Sequence, residues 1–527
     1  MKKSIFPLLA VMPLSIHAAT NSEKPNIILI VADDLGWSDL GCYGGEIDTP
    51  NLDALAEQGL RFNNFHNTGK SFPSRSCLLT GLYAQQNGYY RFYNKPFKNA
   101  VTLGEVLRSA GYRTLLSGKH HGVENPHDIG FDRNFGLKDG CCNHFNPGQQ
   151  RVGEGKPAQK VATRHWCIDG EEYAPYSPVE KDFYTTDYYT NYAIGWLEEY
   201  SQEDKPFFLY LAYNAPHDPL QAWPEDIAKY EGVYNVGYEK IREARYEKQL
   251  ELGIIDEKWV LSDPTHIPWA DVDEEERVLE ARRMAVYAAM VDRLDQNVGR
   301  LISYIDSLGK LDNTLIIFVS DNGCASEVVD LKDDYGDIGS MTRWESLGPD
   351  WANVSNTPYR FYKGNSFEGG INTPMIMSWG SGLKAKGEVT NAFSHFIDIM
   401  PTLCDVATAE YPTEFDGDQI TPMAGVSLLS VMEGKAKFKR DEPLFWEFSV
   451  GAAVGDGEWK LVRKTLKTPW SLYNVKDDPT EVNDLADEQQ ELVDKMDGMF
   501  YSWKESLGLN EESTLPPNMK KAVISEK

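Results

Sequence analysis

Two aspartates, Asp33 and Asp34, close the run "NIILIVADDLG", and Asp321 with Asn322 closes a second run of the same form, "NTLIIFVSDNG". Both runs are β-branched and apolar up to the acids, the pattern of strands buried on both faces of a parallel sheet. Brought to one sheet edge, these four side chains offer hard oxygen ligands, which suit Ca²⁺ or Mg²⁺ and not a thiolate metal. Taken singly, an aspartate after a strand is about equally well explained as a turn former. Taken together, the acids call for a cation to neutralise their oxygens.

Two more apolar runs, "RTLLSGKHHG" and "PFFLYLAYNAPHD", end in Lys119, His121 and His217. Four strands thus deliver polar groups at their C-terminal ends, where open α/β sheets place their ligand sites. "KSFPSRSCLLTG", Lys70 to Gly81, reads as a short helix with Ser71 at its start and Arg75 four positions on. A serine there is by itself a cap, and a poor nucleophile without an adjacent base.

The elements that must position these residues are legible in outline. "TPNLDALAEQGLRF" gives a short helix with a Thr-Pro start and a Gly stop. From Glu274 to Leu308 the residues Met284, Tyr287, Val291, Leu294, Val298 and Leu301 recur in steps of three and four, a stripe read as core packing alone. From about Asp441 the segments "LFWEF", "GAAVGDGEWKLVRK" and "WSLYNV" are short strands separated by turns, followed by a helix over Glu488 to Leu507. They suggest a small antiparallel sheet with a terminal helix, packed on a larger α/β domain.

Bulk properties narrow the class. The chain has 527 residues, 41% hydrophobic and 25% charged, which is ordinary for a globular protein large enough for more than one domain. Its net charge of −28 argues against nucleic acid or an anionic membrane as partner, so an anionic substrate needs a local basic pocket. Lys2 and Lys3, the apolar run Ile5 to Ile16, and Ala18 with Ala19 read as a signal peptide over 1–19, which places the mature chain in the periplasm or outside the cell. No later run approaches the length of a membrane helix, so no stable membrane insertion is expected. Seven cysteines are too sparse for a disulfide scaffold and contain no zinc-spaced pairs; they read as small buried apolar residues.

Ser71-x-Pro73-Ser74-Arg75 followed by Leu79-Thr80-Gly81 resembles the signature of the sulfatase family, in which the first position is oxidised after translation to formylglycine. The resemblance continues in family order from Pro25 to Leu485. It includes "GKHHG" (Lys119, His121), "APHDPL" (His217), "SDNG" and "YKGNSFEGGINTPMI" (Lys363), and is nearest the bacterial arylsulfatase type. It implies an alkaline-phosphatase-like α/β fold with a large mixed central sheet flanked by helices over 20–435, a C-terminal subdomain over 436–515 and a flexible tail over 516–527.

The resemblance also implies a site. Asp33, Asp34, Ser71, Asp321 and Asn322 hold a cation, Ca²⁺ or else Mg²⁺. Arg75 fixes the formylglycine, Lys119 and Lys363 face the sulfate, His121 is the base that collapses the sulfated intermediate, and His217, alone or with Lys363, protonates the leaving alcohol. With serine at 71, maturation calls for a radical-type modifying enzyme as a partner. The loops Phe135 to Gly148 and Tyr335 to Trp351 line the mouth in relatives, so Asn143, His144 and Trp344 are candidates to contact a sugar. His120, His127, His165 and, setting that candidacy aside, His144 read as ordinary loop histidines. The implied substrate is an aryl sulfate or a sulfated glycan. The rival readings are a phosphodiester or phosphonate monoester hydrolase of the same superfamily and an unmodified sulfated-glycan binder.

Overall fold

The computed structural model describes residues 24–509 except 92, 330, 332–334, 436–437, 449–450 and 466. The expected signal peptide and the tail over 516–527 lie outside the described residues. A ten-stranded sheet forms the centre. Its strands are β1 (Asn26–Asp33), β2 (Leu60–Phe62), β3 (Arg113–Gly118), β4 (Arg133–Leu137), β5 (Trp166–Ile168), β6 (Glu171–Tyr173), β7 (Phe207–Pro216), β8 (Thr314–Ser320), β9 (Met375–Ser378) and β10 (Glu388–Thr390). The order across the sheet is β10-β2-β9-β8-β1-β7-β3-β4-β5-β6.

The four runs singled out in the sequence are neighbours at the middle of this sheet. β8, β1, β7 and β3 are mutually parallel, with Ile28 opposite both Leu209 and Ile316, and Leu115 opposite Leu209. Their C-terminal ends therefore share one edge. The flanking β9 and β5 run antiparallel to their inner neighbours, which makes the sheet mixed.

β1 shows why the central strands carry no polar alternation. Ile28, Ile30 and Ala32 face one hydrophobic layer, while Ile27, Leu29 and Val31 face the other, and all are fully buried. Truncating one of these isoleucines to alanine costs about 2–5 kcal/mol. The first layer is covered by α2 (Thr185–Glu199), α3 (Tyr238–Glu251) and the long α4 (Glu274–Ser307). The second is covered by α1 (Ser71–Thr80), all ten of whose residues are buried, and by α5 (Ile399–Ala407).

A separate four-stranded antiparallel sheet follows in the order β11 (Leu444–Phe448), β12 (Gly451–Gly455), β13 (Lys460–Arg463) and β14 (Ser471–Tyr473). The closing helix α6 (Gln490–Ser506) packs Val493, Met496 and Phe500 against it. All seven cysteines are free thiols, six of them buried. No helix among the described residues is long and apolar enough to cross a membrane.

Candidate active site

Asp33, Asp34 and Asp321 meet at the shared strand edge, each offering an oxygen within 4.8 Å of the others, and all three are buried. Asn322 joins them: its Nδ2 donates to Asp34 Oδ1 at 2.6 Å, while its Oδ1 accepts from Ser71 Oγ at 3.0 Å. Ser71 Oγ is also 3.3 Å from Asp33 Oδ1. The helix α1 starts at Ser71, so the positive end of its dipole faces the acids. Asp34 sits at φ +66, an uncommon conformation held because Tyr287 Oη lies 3.1 Å from its carbonyl oxygen and 2.7 Å from Asp39 Oδ2. Tyr287 thus does more than pack: the helical stripe that the sequence presents as core alone also braces the acidic turn.

Cations surround the carboxylates. Arg75 Nε donates to Asp321 Oδ2 at 2.7 Å and Nη1 donates to the carbonyl of Lys119 at 2.9 Å. Its Nη2 is buried without a hydrogen-bond partner, 3.7 Å from Asp33 Oδ1, the same oxygen that Ser71 approaches. Lys119 pairs with Asp33, and Lys363 Nζ lies 2.7 Å from Asp34 Oδ1. Lys119 is placed by Gly118, whose φ of +121 and close approach to the Ala212 carbonyl leave no room for a Cβ. Lys363 is placed by the hydrogen bond from Gly364 N to the Gly69 carbonyl, 2.8 Å, which ties its loop to the one before Ser71.

The two histidines are driven in opposite directions. Burial works against a charge on His217, yet Asp34 and Asp33 outweigh it and push its pKa up to about 10. Its Nε2 is 3.5 Å from Asp34 Oδ2 and its Nδ1 is 2.8 Å from Asp218 Oδ1. His121 is held well below the usual histidine range, by burial first and the Lys119 charge second. Its ring lies edge-on to Tyr93 at 4.8 Å and to Phe72 at 5.9 Å, and its Nδ1 is buried without a hydrogen-bond partner. Among the acids, burial and then the charge of Asp33 push Asp321 up to about 6. Burial also works to raise Asp33, but Lys119 and then His217 overcome it and hold Asp33 low.

Three expected substrate contacts occupy other places. Asn143 is buried and donates to the carbonyls of Ala158 and Met341 at 3.0 and 2.7 Å, which consumes its amide in joining loops. Trp344 is 2% exposed and donates through Nε1 to Asp218 Oδ2 at 3.3 Å, so it steadies the partner of His217. His144 is fully buried, between Thr185 Oγ1 at 2.9 Å and the His217 carbonyl at 3.0 Å. Burial lowers its pKa to about 4, so at neutral pH it donates from Nε2 to that carbonyl. All three side chains are turned into the protein and spent on internal hydrogen bonds. Residues the sequence did not single out are Asp218, which also accepts from Ser346 Oγ at 2.6 Å, and the pair Lys70 and Glu327 beside Lys363. "APHDPL" does carry Asp218 next to His217, which was the available signal.

The donor set is all oxygen, buried and rich in carboxylate, which fits a hard divalent cation. Residues 25–409 match the sulfatase family model. The chain belongs to the sulfatase family. Residues 359–502 of this sulfatase also match the C-terminal model described for N-sulphoglucosamine sulphohydrolase. It is 34% identical to the arylsulfatase of Klebsiella aerogenes, over 81% of this chain and 96% of that one. It is 26% identical to the N-acetylglucosamine-6-O-sulfatase of Bacteroides thetaiotaomicron, over 95% of this chain and 91% of that one. The crystal structure of Ps i-CgsB in complex with k-i-k-neocarrahexaose superposes with a TM-score of 0.68 at 26% identity, covering 95% of this chain and 96% of that one. The sulfatase is a sulfuric ester hydrolase.

Proposed function

We propose that this sulfatase removes sulfate from sulfated glycan fragments, with aryl sulfates as assay substrates, using a formylglycine made from Ser71 and a bound Ca²⁺. The observation that carries the reading is the convergence of Ser71 Oγ on Asp33 and Asn322, beside a spare buried donor of Arg75. Asp33, Asp34, Asp321 and Asn322 would hold the cation, whose contribution when bound is Lewis acidity at the oxidised Ser71 side chain.

The chain's own groups divide the remaining work. Arg75 fixes Asp321 and Asp33 around position 71 and has Nη2 left to donate. Lys119 and Lys363 present ammonium groups to the sulfate oxygens, where charge builds as the S–O bond breaks. His217, kept protonated by Asp34, supplies the proton to the departing alcohol oxygen. His121, kept neutral by burial and Lys119, accepts the proton when sulfate is expelled and the aldehyde returns. The glycan preference is supported by the relatives named for carbohydrate sulfates and by the structure holding a neocarrahexaose.

The test compares turnover of one aryl sulfate, the matching phosphate ester and a panel of sulfated saccharides by the chain produced with a serine-type maturase. Sulfate release that disappears in Ser71→Ala supports the reading; dominant phosphate ester turnover contradicts it.

A further inference from the structure

From the acidic cluster a line of alternating charge continues outward to Glu327 and Lys70, two residues the mechanism above does not use. Asp34 pairs with Lys363, whose Nζ is 3.8 Å from Glu327 Oε2, and Glu327 Oε1 in turn pairs with Lys70. The inner end of the line is sealed and its outer pair is open to water. The side chain of Lys363 is 2% exposed, while those of Glu327 and Lys70 are 46% and 27% exposed, so the sulfate-facing lysine is joined to a pair that solvent reaches. Lys70 is the residue immediately before Ser71, at the N-cap of α1, and its side chain does not cap that helix. Nothing in the helix therefore requires a lysine there.

A carboxylate held between two ammonium groups at the approach to an anion pocket is in the position a sulfate oxygen would take. It neutralises both lysines when no substrate is present, at little cost, because it is itself half in water. We propose that Glu327 is a displaceable internal anion and Lys70 a further sulfate-binding residue: an arriving sulfate ester exchanges with the Glu327 carboxylate and is received by Lys70 together with Lys363. This rests on the reading of the site as a sulfate pocket. It makes Glu327 a determinant of affinity, since every bound sulfate must first release it.

Binding of inorganic sulfate to the full chain, measured by calorimetry, tests the exchange in a form that does not depend on Ser71 being modified. Glu327→Gln is expected to tighten sulfate binding by about three- to tenfold and Lys70→Met to weaken it by a similar factor, the size of one partly exposed charge pair. In modified enzyme the gain from Glu327→Gln appears in KM more than in kcat. A Glu327→Gln protein with a wild-type melting temperature and unchanged or weaker sulfate affinity overturns the proposal, as does Lys70→Met with unchanged affinity. If ester turnover by the modified wild-type chain is intact when either result is found, only the exchange fails. If sulfate esters are not turned over at all, the reaction assigned to the site fails, while the ranking of the variants in sulfate binding still decides the role of Glu327.

Discussion

Arg75 Nε stands 2.7 Å from Asp321 Oδ2, with both side chains almost wholly buried. A pair sealed from water is costly to break from one side, because the survivor is left charged and unsolvated. Arg75→Met is therefore expected to lose about 3–5 kcal/mol of stability in cation-free protein, by urea unfolding. Added Ca²⁺ should recover part of that loss, since it supplies positive charge to the same carboxylates. An Arg75→Met chain as stable as the wild type would show that the pair is not what compensates Asp321.

Cation binding and His217 are linked through Asp34. The folded pKa of His217, pushed up to about 10, lies above its ordinary 6.5, so its charged form contributes stability that is complete below pH 6.5 and is lost as the pH climbs through about 10. A divalent cation on Asp33 and Asp34 offsets the charges that raise this pKa. Titration of carbon-13-labelled histidine in chelated protein is expected to place His217 far above the others, and Ca²⁺ is expected to bring it down. An equal His217 titration with and without Ca²⁺ contradicts the linkage.

His121 carries the opposite expectation. Burial and Lys119 keep it neutral at pH 7, so it is ready to accept a proton without first losing one. The acid limb of the pH–rate profile assigned to this base should therefore fall below pH 6.5, and His121→Gln should lower kcat by about 10²–10⁴-fold with little change in sulfate affinity. A limb that stays in place in His121→Gln belongs to another group.

Which parts of this were legible beforehand follows from the physics of each residue. The central strands declared themselves because a strand buried on both faces must be continuously apolar, and Asp33, His217 and Asp321 are found where such runs stop. The long helix was legible because its stripe recurs with the helical period, yet the hydroxyl of Tyr287 on Asp39 and the Asp34 turn was invisible, since tyrosine at a core position looks the same whether or not its tip has a partner. Asn143, His144 and Trp344 show the converse. Polar and aromatic types on a loop say nothing about which way the side chain points, and here Trp344 and His144 turn inward to hold Asp218 and the His217 carbonyl. Lys70 and Glu327 were hidden because they are 257 positions apart and each alone is an ordinary surface charge.

That inward brace makes its own prediction. His144→Ala removes the donor to the His217 carbonyl and frees the loop that carries the proposed acid. A misplaced acid can cost up to about 100-fold in kcat. The loss should be smaller for substrates with a good leaving group, such as nitrophenyl sulfates, which need less protonation. An equal loss on alkyl and aryl sulfates would mean that His144 acts on the pocket as a whole.

The identity of the side chain at position 71 is the centre of the account, and peptide mass spectrometry of catalytically active protein reads it directly. The peptide carrying Ser71 is expected to have lost two hydrogen atoms, to form the adduct of an aldehyde with a hydrazide probe, and to do so in proportion to activity across preparations. Fully active protein in which Ser71 is an unmodified serine would contradict it.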